Sequence, residues 1–484
     1  MAEGSRRSLL AGLAALASTV AEAGADRLTV ALGGRERTRV IVVLACVLGL
    51  SAADVTTVGA SATELRHGLH ISNTDIGLLV AATSLVGAVA SLPFGILADR
   101  VRRTTTLAIA IVLWAVAMLW SAAVPTFHDL LIARLFLGAV TAAAGPMIAS
   151  LVGDYFGGWE RGRIYGYILT GELLGAGFGF AVTGDIATVS WRAAFVILAL
   201  PALALSVFVA RLPEPRRGGR GILDHESAKP PEGFAEGPHE TDAQRLARER
   251  GVGADPELVL HGDARRMNII AATRYVLRIR TNIVLIAASA LGYYFLAGLQ
   301  TFGAEFVKEQ YGIGQAIANL LLLVIGVGAV GGVLAGGALG DRILRRGRLN
   351  GRIYTAIGAA LLAPVLFAPA IFTRSASAAV PYLIVAAFFL SAQNPPLDAA
   401  RLDIMPPLLW GRAEAVRTLF RSLAQALAPL LFGAVSDHVF GGGRSGLQWT
   451  FAVMLVPLAA SAYLLFKGRR TYPRDVATAA AASA

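Results

Sequence analysis

Three ionisable residues stand inside long apolar runs: Asp54 in 38–61, Arg134 in 128–152 and Glu172 in 164–184. A charge in hydrocarbon is costly, and it is kept where it binds a substrate, an ion or a proton. Asp54 and Arg134 lie about seven residues from the same end of their runs, roughly 10 Å deep at 1.5 Å per residue. An Asp54–Arg134 pair lowers the cost of both charges. It serves either as a proton-sensitive pair facing a cavity or as a static brace. Glu172 sits mid-run in Gly171-Glu172-Leu173-Leu174-Gly175-Ala176-Gly177-Phe178-Gly179. The glycines allow close helix packing, and a carboxyl held there can take up and release a proton. Asp398 lies low enough in its run to reach water at the inner face. Tyr293, Tyr294, Phe295, Gln300 and Phe302 offer aromatic faces and few polar handles, which suit a hydrophobic or amphipathic substrate.

Other chemistries find no support. The seven histidines (67, 70, 128, 225, 239, 261 and 438) fall in loops or at the ends of the apolar runs, with no H-E-x-x-H. The single cysteine, Cys46, excludes a disulfide framework and a cysteine-based zinc site. No Walker A lysine motif is present. The expectation is a non-enzyme without metal or organic cofactor, drawing on a proton gradient.

The elements that position these residues follow from composition. Hydrophobic residues make up 55% of the 484 and charged residues 15%, against about 25% charged in soluble domains. Mean hydropathy is +0.62. A bilayer core of about 30 Å needs roughly 20 apolar residues per helix. Such runs occur at 38–61, 74–98, 105–124, 128–152, 164–184, 190–211, 281–303, 315–339, 351–372, 379–400, 413–436 and 448–466. Helices are the expected element, because each spanning segment must satisfy its own backbone.

The net charge of +11 fits this topology without nucleic acid. With both termini cytoplasmic, 37 of the 43 Lys and Arg fall on or at the inner side and 5 on the outer, the bias of a bacterial plasma-membrane protein. Forty of them are arginine, which with the abundant Ala and Gly suggests a GC-rich genome. Ser5-Arg6-Arg7-Ser8-Leu9-Leu10, followed by Ala21-Glu22-Ala23, resembles a cleavable twin-arginine signal. Cleavage would strand Arg35, Arg37 and Arg39 outside, so 1–37 reads as an uncleaved cytoplasmic segment. The organisation is then a first six-helix bundle (38–211), a cytoplasmic linker (212–280), a second bundle (281–466) and a cytoplasmic tail (467–484). Within the linker, 212–266 is polar and reads as flexible. Ile269, Ala272, Val276 and Ile279, opposed by Arg266, Arg274 and Arg278, predict a helix on the inner membrane surface.

The second half echoes the first. Gly95-Ile96-Leu97-Ala98-Asp99-Arg100-Val101-Arg102-Arg103 recurs as Gly337-Ala338-Leu339-Gly340-Asp341-Arg342-Ile343-Leu344-Arg345-Arg346, 242 residues on. Pro146 and Asp154 recur 249 residues on as Pro395 and Asp403, and Arg161 recurs 251 residues on as Arg412. Paired repeats around a midplane site are a transporter plan.

The repeated G-x-x-x-D-R followed by paired arginines resembles motif A of the major facilitator superfamily, and the resemblance covers about 38–466. It implies an all-α membrane protein with twelve transmembrane helices in two pseudo-symmetric six-helix bundles. Asn394-Pro395-Pro396, Asp403, Pro406-Pro407, Arg412-Ala413, Ala428-Pro429, Gly433 and Ser436-Asp437 resemble the Spinster-like branch of lysolipid transporters. The chain departs from that branch at Asp54-Val55, where Asp-Arg is usual, and at Thr141, where a glutamate is usual. Arg134-Leu135-Phe136-Leu137-Gly138 resembles the superfamily's R-x-x-x-G motif, linked there to proton handling. The resemblance also implies that Asp99 and Asp341 cap helices of the opposite bundle and that Arg100 and Arg342 add ionic contacts. Gly95, Arg103, Gly337 and Arg346 belong to the same gate, which Arg412 and Arg417 join with Asp154, Glu160 and Arg161.

The expectation is a monomeric proton-coupled secondary transporter working by alternating access, exporting an amphipathic small molecule or lipid by antiport. The alternatives are proton-coupled uptake or uniport, and a receptor or scaffold that transports nothing.

Overall fold

The computed structural model describes residues 29–30, 32–71, 73–217, 223, 241–260, 264 and 267–482. The twin-arginine stretch, Ala21-Glu22-Ala23, Arg220, Pro230-Pro231 and Arg266 lie outside them. Twelve long helices form the body: α1 (Arg35–Ala60), α2 (Asn73–Arg100), α3 (Arg103–Ala123), α4 (Phe127–Tyr155), α5 (Arg161–Phe178), α6 (Trp191–Ala210), α7 (Arg280–Tyr311), α8 (Gln315–Arg345), α9 (Gly351–Phe372), α10 (Ala376–Asp403), α11 (Trp410–Ala434) and α12 (Gly443–Gly468). Eleven are long and apolar enough to cross a bilayer. The twelfth, α5, carries Arg161, Arg163 and Glu172 within 18 residues. Helices α7 and α8 run past the expected ends at 303 and 339, to Tyr311 and Arg345.

Helices α1–α6 pack as one bundle and α7–α12 as another. Bundle-to-bundle contact is carried by α2 with α11 and by α5 with α8. The two halves break alike. Helix α4 turns at Ala142–Ala143, ahead of Pro146, and α10 turns at Gln393, ahead of Pro395. Proline removes an intrahelical hydrogen bond and crowds the preceding turn, so each break falls where the repeat places its proline.

Close helix approach depends on small residues. Gly171, Gly175 and Gly179 of α5, or just past its end, lie on the backbone of α1 at Ala45, Gly49 and Ala53. A Cβ at Gly175 would overlap the backbone of Gly49, whereas one at Gly177 would meet nothing within 4 Å. Gly175→Leu should therefore destabilise the bundle by about 1–3 kcal/mol, the usual cost of overpacking. Gly177→Leu should be close to neutral. Thermal unfolding of the two variants in detergent checks this, and equal melting temperatures would contradict the seam.

Part of the linker and the tail are built into the protein rather than free. The helix Asp242–Glu249, capped by Thr241 and Gln244, packs on a terminal helix, Tyr472–Ala481. Gln244 donates to the Asp403 carbonyl at 3.0 Å, and the Tyr472 hydroxyl donates to the Asp403 carboxylate at 2.7 Å. Asp475 accepts from the Thr281 backbone N–H at 2.9 Å. Burial pushes the Asp475 carboxyl above its ordinary value, opposed by the Thr281 hydrogen bonds. The expected surface helix is present as Ile269–Arg278. It lays Ala272, Tyr275 and Val276 against the protein, chiefly α11 and α7.

Candidate functional site

The residues of interest form layers along the axis between the bundles, beginning at the side that carries the linker. In the outermost layer the Asp99 carboxylate, at the end of α2, accepts from the backbone N–H groups of Gly411 and Arg412 at 3.0 and 3.2 Å. It also pairs with the Arg412 guanidinium at 2.7 Å. The first N–H groups of a helix have no intrahelical partner and carry positive partial charge, so Asp99 caps α11 of the opposite bundle. Asp341, at the end of α8, accepts from the Arg163 backbone N–H at 2.7 Å and so caps α5. A Cβ added at Gly95 would meet Ala415 and Gly411, and one at Gly337 would overlap Gly162. Both seams need glycine to close.

Beyond the gate motif itself, which repeats at 242 residues, one offset of 249 runs through the site. Gly162 and Arg163 face Asp341 as Gly411 and Arg412, 249 residues on, face Asp99. The structural mate of Arg412 is therefore Arg163 rather than Arg161. The mate of Arg161 is Trp410, and the two stack with the guanidinium 4.8 Å from the ring centroid. Arg161 also donates to the Phe156 carbonyl from Nε and to the Gly153 carbonyl from Nη2. Similarly, Arg103 pairs with Asp154, and its counterpart 249 residues on, Arg352, pairs with Asp403 and, at 2.8 Å, with Asp341. Sequence reading gave that place to Arg346, which is exposed. Asp341 and Arg352 stand seven residues further apart in the chain than Asp99 and Arg103, so Arg346 falls short of α9. Arg342 is exposed as well, and Arg100, also exposed, donates to the Met267 carbonyl. Glu160 pairs with Arg37 at 2.5 Å and Arg163 at 3.0 Å. Glu214, beyond α6, accepts from the backbone N–H and hydroxyl of Thr104 and pairs with Arg103 at 2.8 Å. Burial acts to raise the Glu214 carboxyl, but these donors outweigh it and hold it below its ordinary value.

The next layer was not recognised as a unit in the sequence. Asp398 and Arg401 of α10 meet Glu414 and Arg417 of α11, all buried. Arg417 reaches Asp398 at 2.7 Å and Glu414 at 3.0 Å, and Arg401 pairs with Glu414. Ser289 of α7 accepts from Arg417 at 3.1 Å. Asp398 is thus walled off from water by its partners. The i,i+3 spacing within 398–401 and 414–417 is the signal that points to it. Arg417, expected in the gate, belongs here.

Above this layer stand Glu172 of α5 and, 249 residues on, Arg421 of α11. Each lies eleven residues from the start of its helix, roughly 16 Å along the axis. Both are half-buried, and each feels the other's charge across the interface. The Arg421 guanidinium lies 4.7 Å from the ring centroid of buried Tyr293. The remaining aromatic expectations do not meet here. Tyr294 donates to the Met454 sulfur and packs on Phe432, Phe295 lies in the second bundle's core, Phe302 stacks on Phe432, and Gln300 is exposed. A helix shows any one face only every third or fourth residue, so adjacent aromatics cannot all reach the axis.

Asp54 and Arg134 do pair, at 2.7 Å, but inside the first bundle. Both are buried, and Arg134 reaches toward Met118 of α3 and the Phe195 ring of α6. Toward the side away from the linker, the interface helices carry exposed apolar residues, among them Leu85, Val89, Leu323, Val327, Leu427 and Leu430. The hydrogen bonds and ion pairs described between the bundles lie on the linker side. The arrangement is a half-buried acid and base facing across a two-bundle interface that is sealed on one side.

The model of the Major Facilitator Superfamily matches residues 43–391. The chain belongs to the Major Facilitator Superfamily. As such it is a multi-pass membrane protein of a transporter family. Among curated relatives, the probable sulfoacetate transporter SauU of Cupriavidus necator is 23% identical over 441 residues, 89% of this chain and 94% of that one. The first curated relatives are matched over less of their length, 32% and 55% for two of them. Among solved structures, the proton:xylose symporter XylE superposes with a TM-score of 0.66 at 16% identity, covering 89% of this chain and 95% of that one. A bacterial homolog of the human lysosomal transporter Spinster, inward-facing and occupied, superposes with a TM-score of 0.56 at 18% identity, covering 92% and 99%. These likenesses show the superfamily fold and support the Spinster-like resemblance.

Proposed function

We propose that this superfamily member is a proton-coupled carrier working by alternating access, with Glu172 as the group that takes up and releases the proton. One observation carries the reading: a half-buried carboxylate at mid-depth, facing the interface between bundles, with Arg421 opposite rather than locked against it. The superfamily's R-x-x-x-G arginine, Arg134, is committed to Asp54 inside the first bundle, which supports a brace for that pair. The linker side is the cytoplasmic side of a bacterial plasma membrane, with both termini there. The Asp99 and Asp341 caps form the gate that opens when the bundles rock. The protein works as a monomer.

The cargo is an amphipathic small molecule or (lyso)lipid. A cargo that displaces the proton from Glu172 would leave by antiport. The second reading, co-transport of cargo with the proton, is favoured by Arg421, a positive charge opposite the same carboxylate. The name of the sulfoacetate transporter, an anion carrier, agrees with that second reading. A receptor or scaffold has no use for such a pair.

The test is proton flux into liposomes under an imposed pH gradient, with amphipathic cargoes offered to native protein and to Glu172→Gln. Cargo-dependent flux in the native protein should vanish in Glu172→Gln while the melting temperature stays unchanged. Equal flux in both would remove Glu172 from the coupling.

A further inference from the structure

Arg421 differs from the other arginines near the axis. Arg103, Arg352, Arg401, Arg412 and Arg417 each pair with a carboxylate within 4 Å. Arg161 donates to backbone carbonyls through its Nε and Nη2. Among the described residues, Arg421 makes no ion pair and donates no hydrogen bond; its Nε is shielded from solvent and unsatisfied. Its contact is the Tyr293 ring beneath it. A guanidinium whose contact is an aromatic ring has donors left to spend, and they match the oxygens of a carboxylate, sulfonate or phosphate.

We infer that Arg421 anchors the anionic group of an amphipathic substrate, and that this anion and the Glu172 carboxylate exclude one another. The inference rests on Glu172 being the proton group and on the second reading above, co-transport, and names what the proton is coupled to. The groups facing Glu172 are Arg421, Arg417 and Glu414 from α11, Asp398 from α10 and Tyr293 from α7. Arg417, Glu414 and Asp398 are tied to one another and to Arg401, leaving Arg421 as the counter-charge. The empty site is neutral when Glu172 is ionised. An anion arriving at Arg421 adds a negative charge beside a second one in a dry interface, and the site returns to neutrality when Glu172 binds a proton. Protonated Glu172 without an anion leaves Arg421 uncompensated, which is costly at this depth. The two favoured states are therefore empty, or loaded with one anion and one proton.

The experiment uses the full chain in liposomes holding a pH dye, with probes that share an octyl chain: 1-octanesulfonate, octyltrimethylammonium and octyl glucoside. A sulfonate stays ionised and cannot carry protons across lipid by itself. Lysophosphatidylglycerol forms a further arm, so that a free organic anion and an anionic lipid headgroup are distinguished. Binding is read separately, as thermal stabilisation in detergent. The expected result is stabilisation and proton movement with sulfonate or lysophosphatidylglycerol, and neither with the cationic or neutral probe. Arg421→Gln should weaken anion binding at least tenfold, with partial recovery in Arg421→Lys. Glu172→Gln should still bind the anion but move no protons. Stabilisation by the cationic probe equal to that by the sulfonate would overturn the anchor. So would unchanged anion binding in Arg421→Gln, or no response to either anion. Anion binding that depends on Arg421 without proton movement in the native protein would leave the anchor standing and remove the proton-coupled reading.

Discussion

Arg352→Met should lower the stability of the protein by about 3–5 kcal/mol, the usual cost of breaking a buried ion pair by removing one partner. The guanidinium bridges Asp341 and Asp403, donates to the Gly158 carbonyl and is fully buried. Its loss leaves two buried carboxylates without their shared counter-charge. Asp403 keeps only the Tyr472 hydroxyl among its side-chain donors, and Asp341 keeps the start of α5. Arg346→Met, five residues beyond Asp341, removes an exposed side chain and should fall within roughly 0.5 kcal/mol of native. Unfolding monitored in detergent separates the two. A larger loss for Arg346→Met would mean that the repeated motif, rather than the 249-residue offset, describes the second half.

The double change Asp99→Asn with Asp341→Asn should open the linker side. Each carboxylate accepts backbone N–H groups of the opposite bundle, and hydrogen bonds to a charged group contribute about 1.5–3 kcal/mol. Losing the charge at both shifts the open–closed equilibrium by roughly two orders of magnitude, at tenfold per 1.4 kcal/mol. The readout is maleimide labelling of Thr418→Cys in a Cys46→Ser background, with reagent applied from the linker side. Thr418 lies behind the seal beside Gly145 and Glu414. Labelling should rise steeply in the double variant and little in either single one. Unchanged labelling would show that the glycine seams alone hold the interface.

The helices and the two gate carboxylates were legible because their signals are local. A run of 20 apolar residues and a six-residue motif can be read without knowing what they touch. What stayed hidden depends on length and rotation. The longer α8–α9 connection moved the working arginine from Arg346 to Arg352, whereas matching Arg161 to Arg412 followed residue type and overshot by two the 249-residue offset that leads to Trp410. Tyr294 and Gln300 share a helix with Tyr293, but their faces turn into the second bundle or outward. Arg421 went unnoticed because an arginine in a basic stretch of α11 looks like a continuation of the inner-side charge. Its meaning appears only with Glu172 opposite. Asp54 and Arg134 were correctly matched in depth, but depth alone does not reveal which side of a helix they occupy.

The 249-residue offset has an electrical consequence. Glu172 and Arg421 are the same position in two copies of one bundle, carrying opposite charges at equal distance from their helix starts. Their dipole lies across the bundle interface, along the plane of the bilayer. A transmembrane voltage acts on charge displaced along the membrane normal. Rocking about an interface that holds a plus and a minus at one depth moves no net charge through that field. Under the proposed co-transport the conformational step would be insulated from the membrane potential, and a cargo loaded as one anion with one proton would cross without electrical work.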